Sequence, residues 1–94
     1  MAELLQESEI VEQLSAVAGW SREGVEIVRL FKFSSYMAGI DFVVKVAHLA
    51  EEANHHPDMQ VGWRKVTVRL STHSKGGLTK LDFALARQVD GLVG

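Results

Sequence analysis

From Trp63 to Ser71 the chain alternates with a period of two, Val66, Val68 and Leu70 falling on one side and Lys65, Thr67 and Arg69 on the other. That pattern belongs to a strand with one face in a core and the other toward water. A sheet built from such strands is covered on one side only. The expected architecture is therefore α+β, a two-layer sandwich with helices on one face of an antiparallel sheet.

The remaining elements follow from periodicity and punctuation. Ser8, Glu9, Ile10, Val11, Leu14 and Val17 read as an amphipathic helix capped at Ser8 and stopped by Gly19. Val25 to Phe33 is β-branched and aromatic and reads as a strand, with Arg29 interrupting its alternation. Ser34 and Ser35 offer caps for a long helix running to about Ala53. Its Met37, Ile40, Val44 and Ala47 form one apolar stripe that Glu51 continues, which argues that Glu51 points inward. Phe42, Val46 and Leu49 form a second apolar line. One core-facing side needs less apolar surface than this, so either the helix is tucked deeply into its own domain or, as the shortness of the chain favours, one side meets the sheet and another a second subunit. Pro57 fixes its own φ and keeps His56 out of the helical region, so the helix ends before it. A short strand is expected at Met59 to Val61, and Ser74-Lys75-Gly76-Gly77 is a turn. Thr79 starts a final helix that stops at Gly91, and Thr79 with Asp82 fits a capping box.

With 94 residues the chain is one domain, residues 1–94, with room for one core. Its net charge of −2 and scattered lysines and arginines offer no basic stripe for nucleic acid. No cysteine is present, which removes thiolate chemistry and cysteine-based metal sites. No stretch is long and apolar enough to span a membrane, and the acidic first residues match neither a secretory signal nor a transit peptide. A cytoplasmic protein is the expectation.

Chemistry concentrates in one short span: Glu51, then His55-His56-Pro57, then Thr72-His73. Imidazoles titrate near neutral pH and suit proton transfer. Adjacent histidines in a loop also occur as plain solvated or hydrogen-bonded side chains. Pro57 tips the balance by stiffening the loop, and a positioned acid or base needs that rigidity. A metal site is disfavoured because no helical His-x-x-x-His pair exists and neighbouring imidazoles chelate one ion poorly. Ser71, Thr72 and Ser74 lack the surroundings of a nucleophile. Glu51 is either a solvated carboxylate at a helix end or part of the site. Capping alone accounts for Asp82. Trp20 and Trp63 suit a core, or stack on a planar heterocycle. Alternation puts His73 opposite Val66, Val68 and Leu70, so either the strand bulges or the site lies at the sheet edge.

The run Glu51-Glu52-Ala53-Asn54-His55-His56-Pro57-Asp58, followed by Trp63, Ser71-Thr72-His73, Gly77-Leu78 and Asp82, resembles the pterin-4a-carbinolamine dehydratases. Weaker similarity runs from Gly19-Trp20 through Phe31-Lys32-Phe33. The resemblance implies a four-stranded antiparallel sheet with three helices on one face, assembling as a homodimer or homotetramer. It implies a hydro-lyase that removes water from 4a-hydroxytetrahydropterin, giving quinonoid dihydropterin for aromatic amino acid hydroxylases, with no metal and no organic cofactor. It places His55, His56 and His73 as catalytic residues, with Glu51, Pro57, Trp20, Thr72 and Asp82 toward the substrate. His55 and His73 would be the proton-transfer pair, with His56 positioning the pterin and Glu51 holding its ring nitrogens or tuning a histidine. Some members of that family serve instead as dimerisation cofactors of a transcription factor through a helical surface, and the long helix Ser35 to Ala53 would carry that role here.

Overall fold

The structure is a computed structural model that describes residues 2–93. Its elements run α1 (Glu7–Ser15), β1 (Ser21–Glu23), β2 (Glu26–Lys32), α2 (Tyr36–Ala53), β3 (Asp58–Gly62), β4 (Lys65–Leu70), a 3-10 turn (His73–Lys75) and α3 (Lys80–Gly91). The four strands form one antiparallel sheet in the order β1-β2-β4-β3, with β2 and β4 at its centre. The α+β sandwich expected from the alternation of β4 is the architecture observed.

The alternation of β4 sets the layers. Val66, Val68 and Leu70 are fully buried and meet Phe31, Arg29 and Ile27 across β2. The apolar sides of the helices close over them: Ile10 from α1, Phe42 and Val46 from α2, and Phe83, Leu85, Ala86 and Val89 from α3. Each fully buried aliphatic or aromatic side chain contributes about 1.5–3 kcal/mol relative to an exposed one. Phe31 and Phe42 join sheet to helix at a ring separation of 4.7 Å.

Arg29 disturbs the alternation of β2 because it points into the helical layer. There its guanidinium donates to Asp90 Oδ1 at 2.7 Å, and the indole N–H of Trp20 donates to the same oxygen at 2.9 Å. One carboxylate near the end of α3 thus satisfies two part-buried donors. Asp90→Ala is expected to cost about 1–3 kcal/mol by leaving both unpaired. An unchanged denaturant midpoint would contradict this.

The start of the chain departs from expectation. Helix α1 begins at Glu7, one residue before Ser8, with Gln6 as its cap and the Glu9 carboxylate accepting from the Gln6 N–H at 2.9 Å. It ends at Ser15, well before Gly19, and separate turns carry the chain to Trp20. Strand β1 was not foreseen: three exposed residues give no pattern, and the hairpin exists because Gly24 takes a φ of 60° between β1 and β2. Arg22 of β1 pairs with Glu7 of α1, and its hydrogen bond to the carboxylate, followed by its charge, holds the Glu7 carboxyl below its usual range. The stabilisation from that pair is present above the unfolded carboxyl's pKa and is lost as pH falls through the depressed folded value.

Helix α2 has Ser35 as its cap, its side chain accepting from the Ala38 N–H at 3.1 Å. Its core-facing residues are Gly39, Phe42, Val46 and Ala50. The stripe of Met37, Val44 and Ala47 faces outward, and Glu51 with it, which corrects the inward orientation expected for Glu51. A helix carries its apolar residues around more than half its circumference, and periodicity alone does not say which arc meets the sheet.

Candidate active site

The histidines are gathered where α2 ends, β3 begins and β4 runs out. Asn54 closes α2 in the left-handed conformation at φ 49°, and the His55 N–H still reaches back to the Ala50 carbonyl at 3.1 Å. Pro57 then turns the chain into β3, so His55 and His56 leave on different sides. His55 is buried, whereas His56 is exposed.

His55 Nε2 lies 2.6 Å from Asp82 Oδ1, and Asp82 is fully buried. The other carboxylate oxygen, Oδ2, accepts from the Thr72 hydroxyl and from the Thr79 backbone N–H, both at 2.9 Å. The Thr72 and Thr79 hydroxyls are 2.8 Å apart. Since the Thr72 proton goes to Asp82, Thr79 must donate to Thr72, and the Thr79 oxygen accepts from the Leu81 N–H at 3.2 Å. A buried charge is costly unless its lone pairs are met, and here three donors meet it. The capping box at Thr79 is present as expected. Capping is only half of what Asp82 does, because its second oxygen holds a histidine.

An ionised carboxylate only accepts, so Asp82 fixes the proton of His55 on Nε2 and leaves Nδ1 as the basic nitrogen. Ring orientation is fixed by the same bond. His56 Nε2 meets Glu51 Oε2 at 2.5 Å, both side chains well exposed. Of the two roles considered for Glu51, this contact matches the one acting on a histidine. His73 opens the 3-10 turn after β4, 3.8 Å from Asp58 Oδ2 at the start of β3, with both side chains 68 % exposed. No bulge is needed. Strand β4 ends at Leu70, Ser71 and Thr72 continue buried, and a Thr72 to Gly77 bridge closes the turn that carries His73 out at the sheet end.

Of the residues expected toward the substrate, Glu51, Pro57, Thr72 and Asp82 lie at this junction. Trp20 does not fit as a stacking surface: it is 5 % exposed, packed edge-on to Phe31 and bonded to Asp90. A ring so enclosed belongs to the core. Asp58 was not singled out from the sequence, and Thr79 was singled out only as a helix cap. The strand pairing that brings Asp58 to His73, and the position of Thr79 between Thr72 and Asp82, are both long-range relations. Among the described residues no group of three or more histidine or acidic side chains is arranged to hold a metal ion.

The histidine junction is open. Two surface concavities, of about 190 Å³ beside Phe33, Asp41 and Leu92 and of about 280 Å³ beside Phe33, Trp63 and Arg64, do not reach it.

Residues 3–92 match the family model described as pterin 4 alpha carbinolamine dehydratase. The chain belongs to the pterin 4 alpha carbinolamine dehydratase family. A relative from Roseiflexus castenholzii, provisionally named a pterin-4-alpha-carbinolamine dehydratase, is 53% identical over 93 residues, covering 99% of this chain and 100% of its own. The crystal structure of a transcriptional coactivator/pterin dehydratase from Brucella melitensis superposes with a TM-score of 0.94 at 36% identity, covering 98% of this chain and 100% of that one. A pterin dehydratase-like protein identified as a RuBisCO assembly factor in the alpha-carboxysome is more distant, with a TM-score of 0.65 and 28% identity over 80% of this chain and 87% of its own. Two of the solved structures to which the chain is similar thus carry descriptions that go beyond catalysis. Among the described residues no helix is long and apolar enough to cross a membrane.

Proposed function

We propose that this chain is a 4a-hydroxytetrahydropterin dehydratase working by histidine acid/base catalysis, in the recycling of tetrahydropterin. The observation that carries the reading is His55 held through Nε2 by the buried Asp82, with His56 and His73 at the same junction. In the reaction the C4a–O bond breaks, the departing hydroxyl takes a proton and leaves as water, and N5 loses its proton as the N5=C4a double bond forms. No electrons are exchanged with another reactant. His55, with Nδ1 unprotonated, suits the base that removes the N5 proton. His73, exposed beside Asp58, suits the acid that protonates the hydroxyl. His56 and Glu51 position the pterin from the α2 side, and Pro57 keeps the two loop imidazoles apart. Such proton transfers are typically worth about a hundred- to ten-thousand-fold.

Stopped-flow decay of 4a-hydroxytetrahydropterin tests the reading. A catalytic amount of protein is expected to speed the decay, whereas a rate no faster than buffer at every protein concentration would sink it.

A second reading, a dimerisation cofactor that binds another protein, is favoured by the outward face of α2, where Tyr36, Met37 and Val44 are exposed. Light scattering separates the two uses of that face. A tetramer that stays intact on dilution would occupy it with copies of this chain, and a dissociating assembly would leave it open to a partner.

A further inference from the structure

Trp63 and Arg64 form the two-residue turn between β3 and β4, at the end of the hairpin away from the histidines. Arg64 takes a φ of 62°, a left-handed conformation that glycine adopts freely and that costs a residue with a Cβ free energy. Its side chain is held as firmly as its backbone. Nε donates to the Phe33 carbonyl at 3.2 Å, the Phe33 N–H donates to the Arg64 carbonyl at 2.9 Å, and the guanidinium lies 4.9 Å from the centre of the Trp63 ring. Both terminal nitrogens of this fixed guanidinium are without an acceptor among the described residues.

Positive charge collects around the same turn. The β2-β4 register sets Lys32 directly opposite Lys65, and like charges facing each other across two strands are destabilising. Gly62 lets the stem of Lys65 lie close over β3, where an added Cβ would meet Lys65 Cε at 3.2 Å. Among the described residues Lys32, Arg64 and Lys65 have no carboxylate partner, whereas Arg22, Arg29 and Arg69 are each paired with one. With Phe33 and Trp63 these three cations line the concavity of about 280 Å³, and Trp63 is 72 % exposed beside it. A left-handed arginine and two opposed lysines both disfavour the fold, and an anion held among them would offset both.

We propose that this concavity binds a phosphate monoester carried on a planar ring, a ligand of mononucleotide size, with the phosphate among Arg64, Lys32 and Lys65 and the ring against Trp63. A phosphate monoester brings nearly two negative charges at neutral pH and three strong acceptor oxygens, which suits three cations better than the single charge of a carboxylate. The free edge of a guanidinium matches phosphate oxygens two at a time, and an indole stacks on planar rings. A longer polyanion is disfavoured, because the basic ground ends at the turn: Glu26 and Asp58 stand at the far ends of β2 and β3. The site is separate from the histidine junction and does not rest on the dehydratase reading.

Titration of the full chain with adenosine 5′-monophosphate, followed by ¹H–¹⁵N spectra, tests it. The indole N–H signal of Trp63 should shift and saturate with a dissociation constant of about 1 mM or tighter, while that of Trp20, bonded to Asp90 in the core, stays in place. Adenosine and ribose 5-phosphate, each carrying half of the proposed ligand, should bind about tenfold more weakly. Arg64→Gly and Lys32→Gln should each weaken binding about tenfold and yet unfold at the same or a higher denaturant concentration, since the first relieves the backbone of residue 64 and the second removes a repulsion. A purely structural role for Arg64 predicts the opposite pairing, lower stability with unchanged affinity, and that result would overturn the proposal. So would a Trp63 signal that does not saturate by about 10 mM, or an affinity for adenosine equal to that for the nucleotide. Equal binding of ribose 5-phosphate would overturn the role given to Trp63, and tighter binding of a 5′-phosphorylated oligonucleotide would overturn the single-nucleotide occupant.

Discussion

His55→Gln is expected to lower dehydratase turnover by about a hundred- to ten-thousand-fold with the fold retained, because it separates the two things His55 does. The glutamine amide can still donate to Asp82, so the buried carboxylate keeps its third partner, but an amide does not accept and return a proton near neutral pH. His55→Ala is the harsher change. It leaves Asp82 Oδ1 without its donor in a site where Asp82 has no contact with water, and a stability loss of about 1–3 kcal/mol should accompany the loss of rate. His73→Ala removes an exposed ring and should leave the unfolding midpoint alone while lowering turnover in the same range. Single-turnover rates and denaturant titrations on the three variants distinguish these effects. Full turnover in both His55→Gln and His73→Ala, with native unfolding, would remove these histidines from the chemistry.

The order of layers was legible because it depends on local patterns. Alternation in β4 announced a half-buried strand, Ser35 opens a helix whose end Pro57 enforces, and Thr79 with Asp82 announced the start of α3. What was not legible depends on pairs far apart in sequence. Arg29 spoils the pattern of β2 only until Asp90 is placed 61 residues away. Glu51 looked inward because its apolar stripe looked inward, yet the arc of α2 that the sheet buries is the one with Gly39 and Ala50, where small side chains and Phe42 let the helix lie close. Within the site, adjacency gave the histidines but not their partners. Glu51, five residues away, holds the exposed imidazole, while the buried one is held from 27 residues away.

The openness of the junction follows from the chain's size. A two-layer sandwich this small uses one face of its sheet and one face of its helical layer to bury one core, and it has no further element to roof a ligand. Exposed large apolar residues lie along the outer arc of α2, at Tyr36, Met37 and Val44, and at Val61 and Trp63 of the β3-β4 hairpin, with others scattered at Val11, Val25 and Leu30.

Asp82→Asn should give the most informative loss, because it changes a proton's location with almost no change in shape. The asparagine oxygen can replace Oδ2 as acceptor from Thr72 and Thr79, so the cap of α3 survives and stability should fall by no more than about 1–2 kcal/mol. Its amide nitrogen then faces His55 Nε2, and a donor facing a donor is not tolerated in a buried site. The His55 proton moves to Nδ1, and the basic nitrogen turns toward residue 82 and away from the substrate. Turnover should fall by about a hundredfold or more, approaching the loss in His55→Gln. Asp82→Ala, by contrast, removes the cap, both threonine contacts and the histidine contact together, and should cost about 3–5 kcal/mol, as deletion of one partner of a buried pair does. Imidazole ¹⁵N shifts report which His55 nitrogen carries the proton, a readout that a purely structural role for Asp82 would not move. If Asp82→Asn kept the wild-type tautomer and the wild-type rate, Asp82 would be a helix cap and nothing more, and His55 would owe its orientation to packing alone.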